Sequence, residues 1–336
     1  GPLLGAVPAM GSDGRKFAVE VLGDIGDPRA VPTLAAMLAD GDPNVRAAAA
    51  EALGRAGGEA AIAALEGALE GRDLFMRLAI LESLNRLGAP VPYARLQKLL
   101  GERILRHPVI VALGRCPEPQ VVPVLASALT DRVRLPAAAA AVSLSQTHQA
   151  GGIVADEGAA RLGVATEAEV QFLTEQLAIA SAPERLAAVR LLGMVRRDEA
   201  LRTLLAAAAD DTLTDAVARA VAPRGPKAIP VVLASIENLP HRAITPLVEL
   251  LPRLCDDAHA PTVRLRLHDL CGSDDEALCA AAADALGQLG DAASIEPLFG
   301  IIDRNGPRAA RSAARALGAL GRRHRGPVRE GARQRP

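Results

Sequence analysis

The stretch from Asp40 to Gly58, D-G-D-P-N-V-R-A-A-A-A-E-A-L-G-R-A-G-G, constrains this chain more than any other. Asp42 stands where a carboxylate accepts the free N–H groups of a helix start. Pro43 fits the first turn, where its missing N–H is no loss. Val45, Ala48, Ala49, Ala52 and Leu53 then recur at helical spacing, and Gly54 with Gly57 and Gly58 is expected to end the helix. Relatives of this unit run along almost the whole chain. Aligning the residue that follows each helix's last apolar pair gives Gly23, Gly54, Asn85 and Gly114, then Gly193, Ala222, Pro252, Gly287 and Gly318. The steps are 31, 31 and 29, then 29, 30, 35 and 31 residues. A helical hairpin of this size cannot bury its apolar face alone, so neighbours must stack.

Each unit reads as a first helix (A), a turn and a second helix (B). Repeats one to four cover 12–40, 41–71, 72–102 and 103–131, and repeats six to nine cover 181–210, 211–238, 239–272 and 273–304. Repeat ten, R-S-A-A-R-A-L-G-A-L-G, loses its second helix to the tail. Between Gly114 and Gly193, two repeats occupy 79 residues, and the surplus falls at 146–168. Its mixed, Gly-rich character predicts an irregular loop inserted into the stack, ahead of a helix over Glu167–Leu177. Loops on rigid scaffolds concentrate function, so His148, Asp156, Glu157 and Arg161 are candidate partner-binding residues.

Five aromatic residues (Phe17, Phe75, Tyr93, Phe172 and Phe299) stand among the 50% of hydrophobic residues, and Trp is absent. A core of Ala, Leu and Val lets helices approach closely, and it offers few flat side chains to anchor an interface or stack on bases. Lysine occurs at Lys16, Lys98 and Lys227 alone, so arginine supplies nearly all positive charge; with the alanine excess, this suggests a GC-rich bacterial origin. The formal net charge of −1 hides an asymmetry. Residues 304–336 hold ten Arg and one acid, Glu330, so the rest of the chain is acidic. Four cysteines make no disulfide framework, which points to a reducing, cytoplasmic compartment. No apolar run reaches the length of a membrane span. Residues 1–11, G-P-L-L-G-A-V-P-A-M-G, read as cloning or protease-scar residues outside the fold, so the parent chain can hold further domains. Residues 322–336 read as a basic, disordered tail.

D-P-N-V-R-A-A-A-A-E-A-L-G, with G-D-P-R-A-V-P-T-L and G-D-A-A-S-I-E-P-L after other A helices, resembles HEAT repeats, in particular the short PBS-lyase-like form found in bacteria. The resemblance covers about residues 13–321. It implies an all-α fold, an α-α superhelix (solenoid) of about ten helical hairpins in one domain over 12–321, with the B helices lining a concave face that binds partners. It also implies a ladder in which an Asp before helix A and an Arg inside it bond between repeats. Asp42 and Arg46 match this pattern, Asp73 with Arg77 matches more loosely, and repeats six to eight depart from it.

Cys255, His259, His268, Cys271 and Cys279 invite a zinc reading. His259 and His268, however, lie about 13 Å apart along a helix, too far for one tetrahedral ion. Asp210-Asp211, Asp256-Asp257 and Asp274-Asp275-Glu276 fall at helix starts, where carboxylates complement the helix dipole. No G-x-x-x-x-G-K-[ST], G-x-S-x-G or H-E-x-x-H string is present. HEAT-type hydroxylases hold iron with His-Glu pairs, and no His here precedes Glu. HEAT-like DNA glycosylases use Trp-bearing basic faces, which this acidic body lacks; phycobilin lyases share the repeat type. The sequence therefore predicts a non-catalytic protein-interaction scaffold with no cofactor or metal. The alternatives are a lyase-like or glycosylase-like enzyme, and an acidic-partner or nucleic-acid binder working through Arg308, Arg311, Arg315, Arg322 and Arg323. The acidic body argues against a nucleic-acid partner.

Overall fold

The computed structural model describes residues 2–71, 73–304 and 306–324, and every regular element among them is helical. The chain divides into two compact units, Gly1–Leu162 and Gly163–Pro336. In the first, a short helix α1 (Pro2–Ala6) precedes the hairpins α2 (Ser12–Ile25) with α3 (Val31–Met37), α4 (Pro43–Ala56) with α5 (Glu59–Ala68), α6 (Leu74–Leu87) with α7 (Tyr93–Gln97), and α8 (Arg106–Leu113) with α9 (Val121–Ala128). Helix α10 (Arg134–Ala150) follows, and α11 (Gly152–Gly163) ends at the division. The second unit holds α12 (Glu167–Ile179), then α13 (Ala182–Met194) with α14 (Asp198–Ala206), and α15 (Thr214–Val221) with α16 (Ile229–Ile236). It continues with α17 (His241–Leu254) and α18 (Ala260–Leu270), α19 (Glu276–Leu289) and α20 (Ile295–Arg304), and closes on α21 (Pro307–Arg323).

Within each unit the A helices pack on one another in sequence order, α2 on α4 on α6 and, in the second unit, α17 on α19 on α21. The aligned glycines explain how they come so close. A Cβ at Gly23, Gly54, Gly114, Gly193 or Gly287 would stand 2.6–2.8 Å from Ala52, Ser83, Ser143, Ala220 or Ala316 of the following A helix. Gly54 therefore does not end its helix, as the sequence suggested. It lies inside α4, which Gly57 closes with φ +70° and an N–H donated to the Leu53 carbonyl. At the equivalent place in the third repeat, Asn85 bridges outward instead, donating Nδ2 to the Pro108 carbonyl at 2.8 Å.

Charged joints reinforce this packing. Arg15 holds Asp40 and Arg46 holds Asp73, each at 2.7 Å, and Arg106 holds Asp131. In the second unit Arg185 holds Asp210 and Arg264 holds Asp291. Arg15, Arg46 and Arg185 each occupy the fourth residue of an A helix and reach an Asp at the head of the next. The ladder is present in part, with two corrections: Asp40 and not Asp42 receives Arg15, and repeat six carries a rung through Arg185. Arg77 holds the same helical position, but its Nε is buried without a hydrogen-bond partner, so no rung is made there through that atom.

Two further expectations are corrected. The stretch 146–168 is not a loop but helix, apart from short links. Val154, Ala155, Gly158 and Leu162 form a buried stripe on α11, and Gly151 and Gly152, both at positive φ, make the turn that a side chain would strain. Thr166 then opens α12 with a capping box, exchanging hydrogen bonds with Glu169. The opening residues, expected to stand outside the fold, pack on it: Val7 is fully buried, and the Met10 carbonyl accepts from Arg15 Nη1 at 2.7 Å. Of the expected basic tail, residues 325–336 lie outside the described residues.

Candidate functional site

The third residue before each aligned position is exposed or half-buried, and never fully buried. In the second unit this register places Glu249 on α17, Asp284 on α19 and Arg315 on α21 in one row. Two adjoining cavities open along that row. The first, of about 240 Å³, is bordered by Glu249, Asp284, Arg308, Arg311 and Arg315. The second, of about 640 Å³, shares Glu249, Asp284 and Arg315 and adds Arg253 and Arg323. Together they form a groove across three A helices, floored by Ala277, Ala280, Ala281, Gly287 and Ala316. The small side chains that let the helices approach also leave the space.

Its charges are unevenly satisfied. Asp284 Oδ2 accepts from Arg315 Nη2 at 2.8 Å and from Ser312 Oγ at 3.0 Å. Glu276 Oε1 accepts the Arg308 backbone N–H at 2.6 Å, which caps the start of α21. Arg311 donates Nε to the carbonyl of Pro307 in its own helix. The guanidinium groups of Arg308 and Arg311 have no acidic partner among the described residues, nor has Glu249 a basic one. The groove therefore presents unpaired charge, whereas Arg15, Arg46, Arg106, Arg185 and Arg264 are spent in bridges between hairpins.

The structure thus gathers Arg308, Arg311, Arg315 and Arg323 along one groove, with Arg322 exposed in the last turn of α21. His148, Asp156, Glu157 and Arg161 belong to the other unit. Asp156 and Glu157 are exposed on α11, Arg161 is half-buried and engaged, and His148 is half-buried at the end of α10 with its Nδ1 unbonded. Sequence reasoning missed Glu249, Arg253 and Asp284; the register relative to Pro252 and Gly287 is the signal that finds them. The groove also lies on A helices, whereas the family resemblance directs attention to the B helices.

The Cys/His cluster disperses into the packing. His259 Nδ1 meets Asp256 Oδ1 at 2.5 Å, and His268 Nε2 meets Ser294 Oγ at 3.2 Å. Cys279 Sγ donates to the Cys271 carbonyl, and burial pushes the Cys271 thiol up to about 12, so it stays an unreactive thiol. No three of the His, Cys, Asp and Glu side chains among the described residues gather to hold a metal ion.

A family model for HEAT repeats matches residues 9–85, and one for the PBS lyase HEAT-like repeat matches residues 278–298. Residues 9–85 and 278–298 thus carry HEAT-type repeats. Solved structures similar to it include an engineered protein, 18% identical, with 95% of this chain and 88% of that one covered at a TM-score of 0.49. The CpcE–CpcF complex of phycocyanin lyase from Nostoc sp. is 21% identical over 71% of this chain and 93% of that one, with a TM-score of 0.42. Kap95p, solved with RanGDP, is 12% identical over 99% of this chain and 57% of that one, with a TM-score of 0.45. The comparison with curated proteins gave no significant match. Among the described residues, no helix is long and apolar enough to cross a membrane.

Proposed function

We propose that this HEAT-repeat chain is a non-catalytic scaffold that docks a partner protein in the groove along α17, α19 and α21. The observation that carries the reading is the unpaired charge of that groove. Arg46 joins one hairpin to the next through Asp73, whereas the guanidinium groups of Arg308 and Arg311 border the cavity without an acidic partner among the described residues. A preformed surface of this kind loses little conformational freedom on binding, so modest contacts suffice for useful affinity. The exposed acids of α11, Asp156 and Glu157, offer a second place of contact in the first unit.

Affinity capture with the intact chain from its source cells tests the reading. The comparison is a variant with the groove filled, Ala277→Trp, whose parent side chain borders the cavity and is half-exposed. The expected result is a saturable, near-stoichiometric partner that the filled variant loses at unchanged helicity. A partner retained by the filled variant removes the groove from the reading, and turnover of a captured small molecule replaces the scaffold with an enzyme.

A further inference from the structure

The row Glu249, Asp284, Arg315 carries one charge per A helix, and Arg308 and Arg311 extend it along α21. Counting the side chains that border the two cavities, Arg253, Arg308, Arg311, Arg315 and Arg323 oppose only Glu249 and Asp284. Asp284 is already engaged by Arg315 and Ser312. The groove is thus positive at its α21 wall, with one unpaired acid, Glu249, facing that wall from α17.

We propose that this groove binds an extended acidic segment of a partner protein, whose carboxylates are received by Arg308 and Arg311. The assignment rests on the scaffold reading and names the chemistry of the partner. An arginine fork matches a carboxylate in a bidentate pair, and both guanidinium groups stand free of acids among the described residues. Glu249 separates a peptide from a nucleic acid. A continuous phosphate backbone laid along the row meets Glu249 as a like charge, whereas a peptide offers it backbone N–H donors. The chain's own residues 325–336 are unsuited to the groove, since they bring four arginines and one Glu330.

Fluorescence anisotropy with the intact chain tests the assignment in about 0.15 M salt, where the screening length is about 8 Å. The probes are a labelled Glu/Ser peptide, a Lys/Ser peptide of the same length and a short DNA duplex. The Glu/Ser peptide should bind, and the double variant Arg308→Glu with Arg311→Glu should weaken it at least about tenfold, as loss of a charge-assisted pair implies. Arg202→Glu, an exposed charge reversal on α14, should leave binding unchanged, and circular dichroism should show all variants equally helical. Failure of the Glu/Ser peptide to bind, equal binding by the double variant, or tighter binding of the Lys/Ser peptide or the duplex overturns the assignment. The capture experiment reads the scaffold itself without regard to the partner's charge, so the two failures are distinguishable.

Discussion

Arg46 and Asp73 form the joint between the second and third hairpins: Arg46 Nη2 stands 2.7 Å from Asp73 Oδ2, and Asp73 Oδ1 accepts the N–H groups of Phe75 and Met76 that open α6. One carboxylate therefore caps a helix and ties it to its neighbour. Asp73→Ala removes both roles and should cost about 1 kcal/mol for the cap, plus up to about 1 kcal/mol for the partly exposed pair. Asp73→Asn keeps a capping oxygen and should cost less. Urea unfolding of the two variants, with Arg46→Met completing a double-mutant cycle, measures the split. Equal losses for Ala and Asn would show that the cap contributes nothing.

The same joints set the acid stability. The hydrogen bonds from Arg15, Arg46 and Arg185 hold the Asp40, Asp73 and Asp210 carboxyls below the usual carboxylate range. A carboxyl lowered on folding stabilises the fold above its unfolded pKa, near about 4, and that stabilisation is lost as pH falls through the lowered folded value. Melting temperature should therefore drop below about pH 4 from these groups and not between about pH 7 and 5. In a variant with Arg15, Arg46 and Arg185 all replaced by Met, the acid drop should be shallower. An unchanged slope would remove the ladder from the acid response.

Two aligned glycines should respond oppositely to alanine. At Gly54 a Cβ would meet Ser83 Cβ and Oγ at 2.6 Å, so Gly54→Ala must push α6 away and should destabilise by about 1–3 kcal/mol, the range for overpacking. Gly318 has nothing within 4 Å and lies within α21, so Gly318→Ala should stabilise by up to about 1 kcal/mol through helix propensity. Thermal melts of the two single variants decide the matter, and the same sign at both positions would contradict the packing account.

The turn into α11 depends on backbone conformation. Gly151 and Gly152 have φ of +76° and +73°, and alanine at either place should cost about 1–2 kcal/mol. Hydrogen exchange should show the loss as faster exchange within α11. Reversing the exposed Asp156 and Glu157 should leave the melt unmoved, since both side chains face solvent. Similar exchange in the glycine variants and the parent would mean that the turn relaxes without strain.

Local opening in the second unit should begin where the repeats depart from their template. Between α15 and α16 the chain runs through Ala222–Ala228 as a 3₁₀ segment broken at Gly225, and α17 contains Pro246 and Pro252. Fewer helical hydrogen bonds are available there to resist opening. Amide exchange should be faster over 214–228 than in α19, and uniform protection across both would contradict this.

The spacing of Gly23, Gly54, Gly114, Gly193 and Gly287 was legible because each helix repeats the same contact, and a repeated contact imprints a period on the residues that make it. The insertion was misread for the opposite reason. The stripe of Val154, Ala155, Gly158 and Leu162 has helical spacing, but two of its members are small and Gly-Gly precedes it, so composition imitated a loop. Tertiary burial decided for the helix. The arginines of α21 were visible as a run, while Glu249, Arg253 and Asp284 were hidden as isolated charges on helices otherwise read as core.

The sequence by itself determined the hairpin, its repeat and its stacking, because helical periodicity, caps and close-approach glycines are local or act between neighbouring repeats. The tertiary structure alone decided which charge meets which. Arg46 is two helices away along the chain from Asp73, and Arg315 is 31 residues beyond Asp284, yet each pair is within hydrogen-bond distance. The same register leaves the guanidinium groups of Arg308 and Arg311 without an ion pair among the described residues, although Glu249 and Asp284 border the same cavity. A run of arginines tells only that charge is present. Whether that charge is spent in a joint or left facing a groove depends on the side chain that packing brings opposite it.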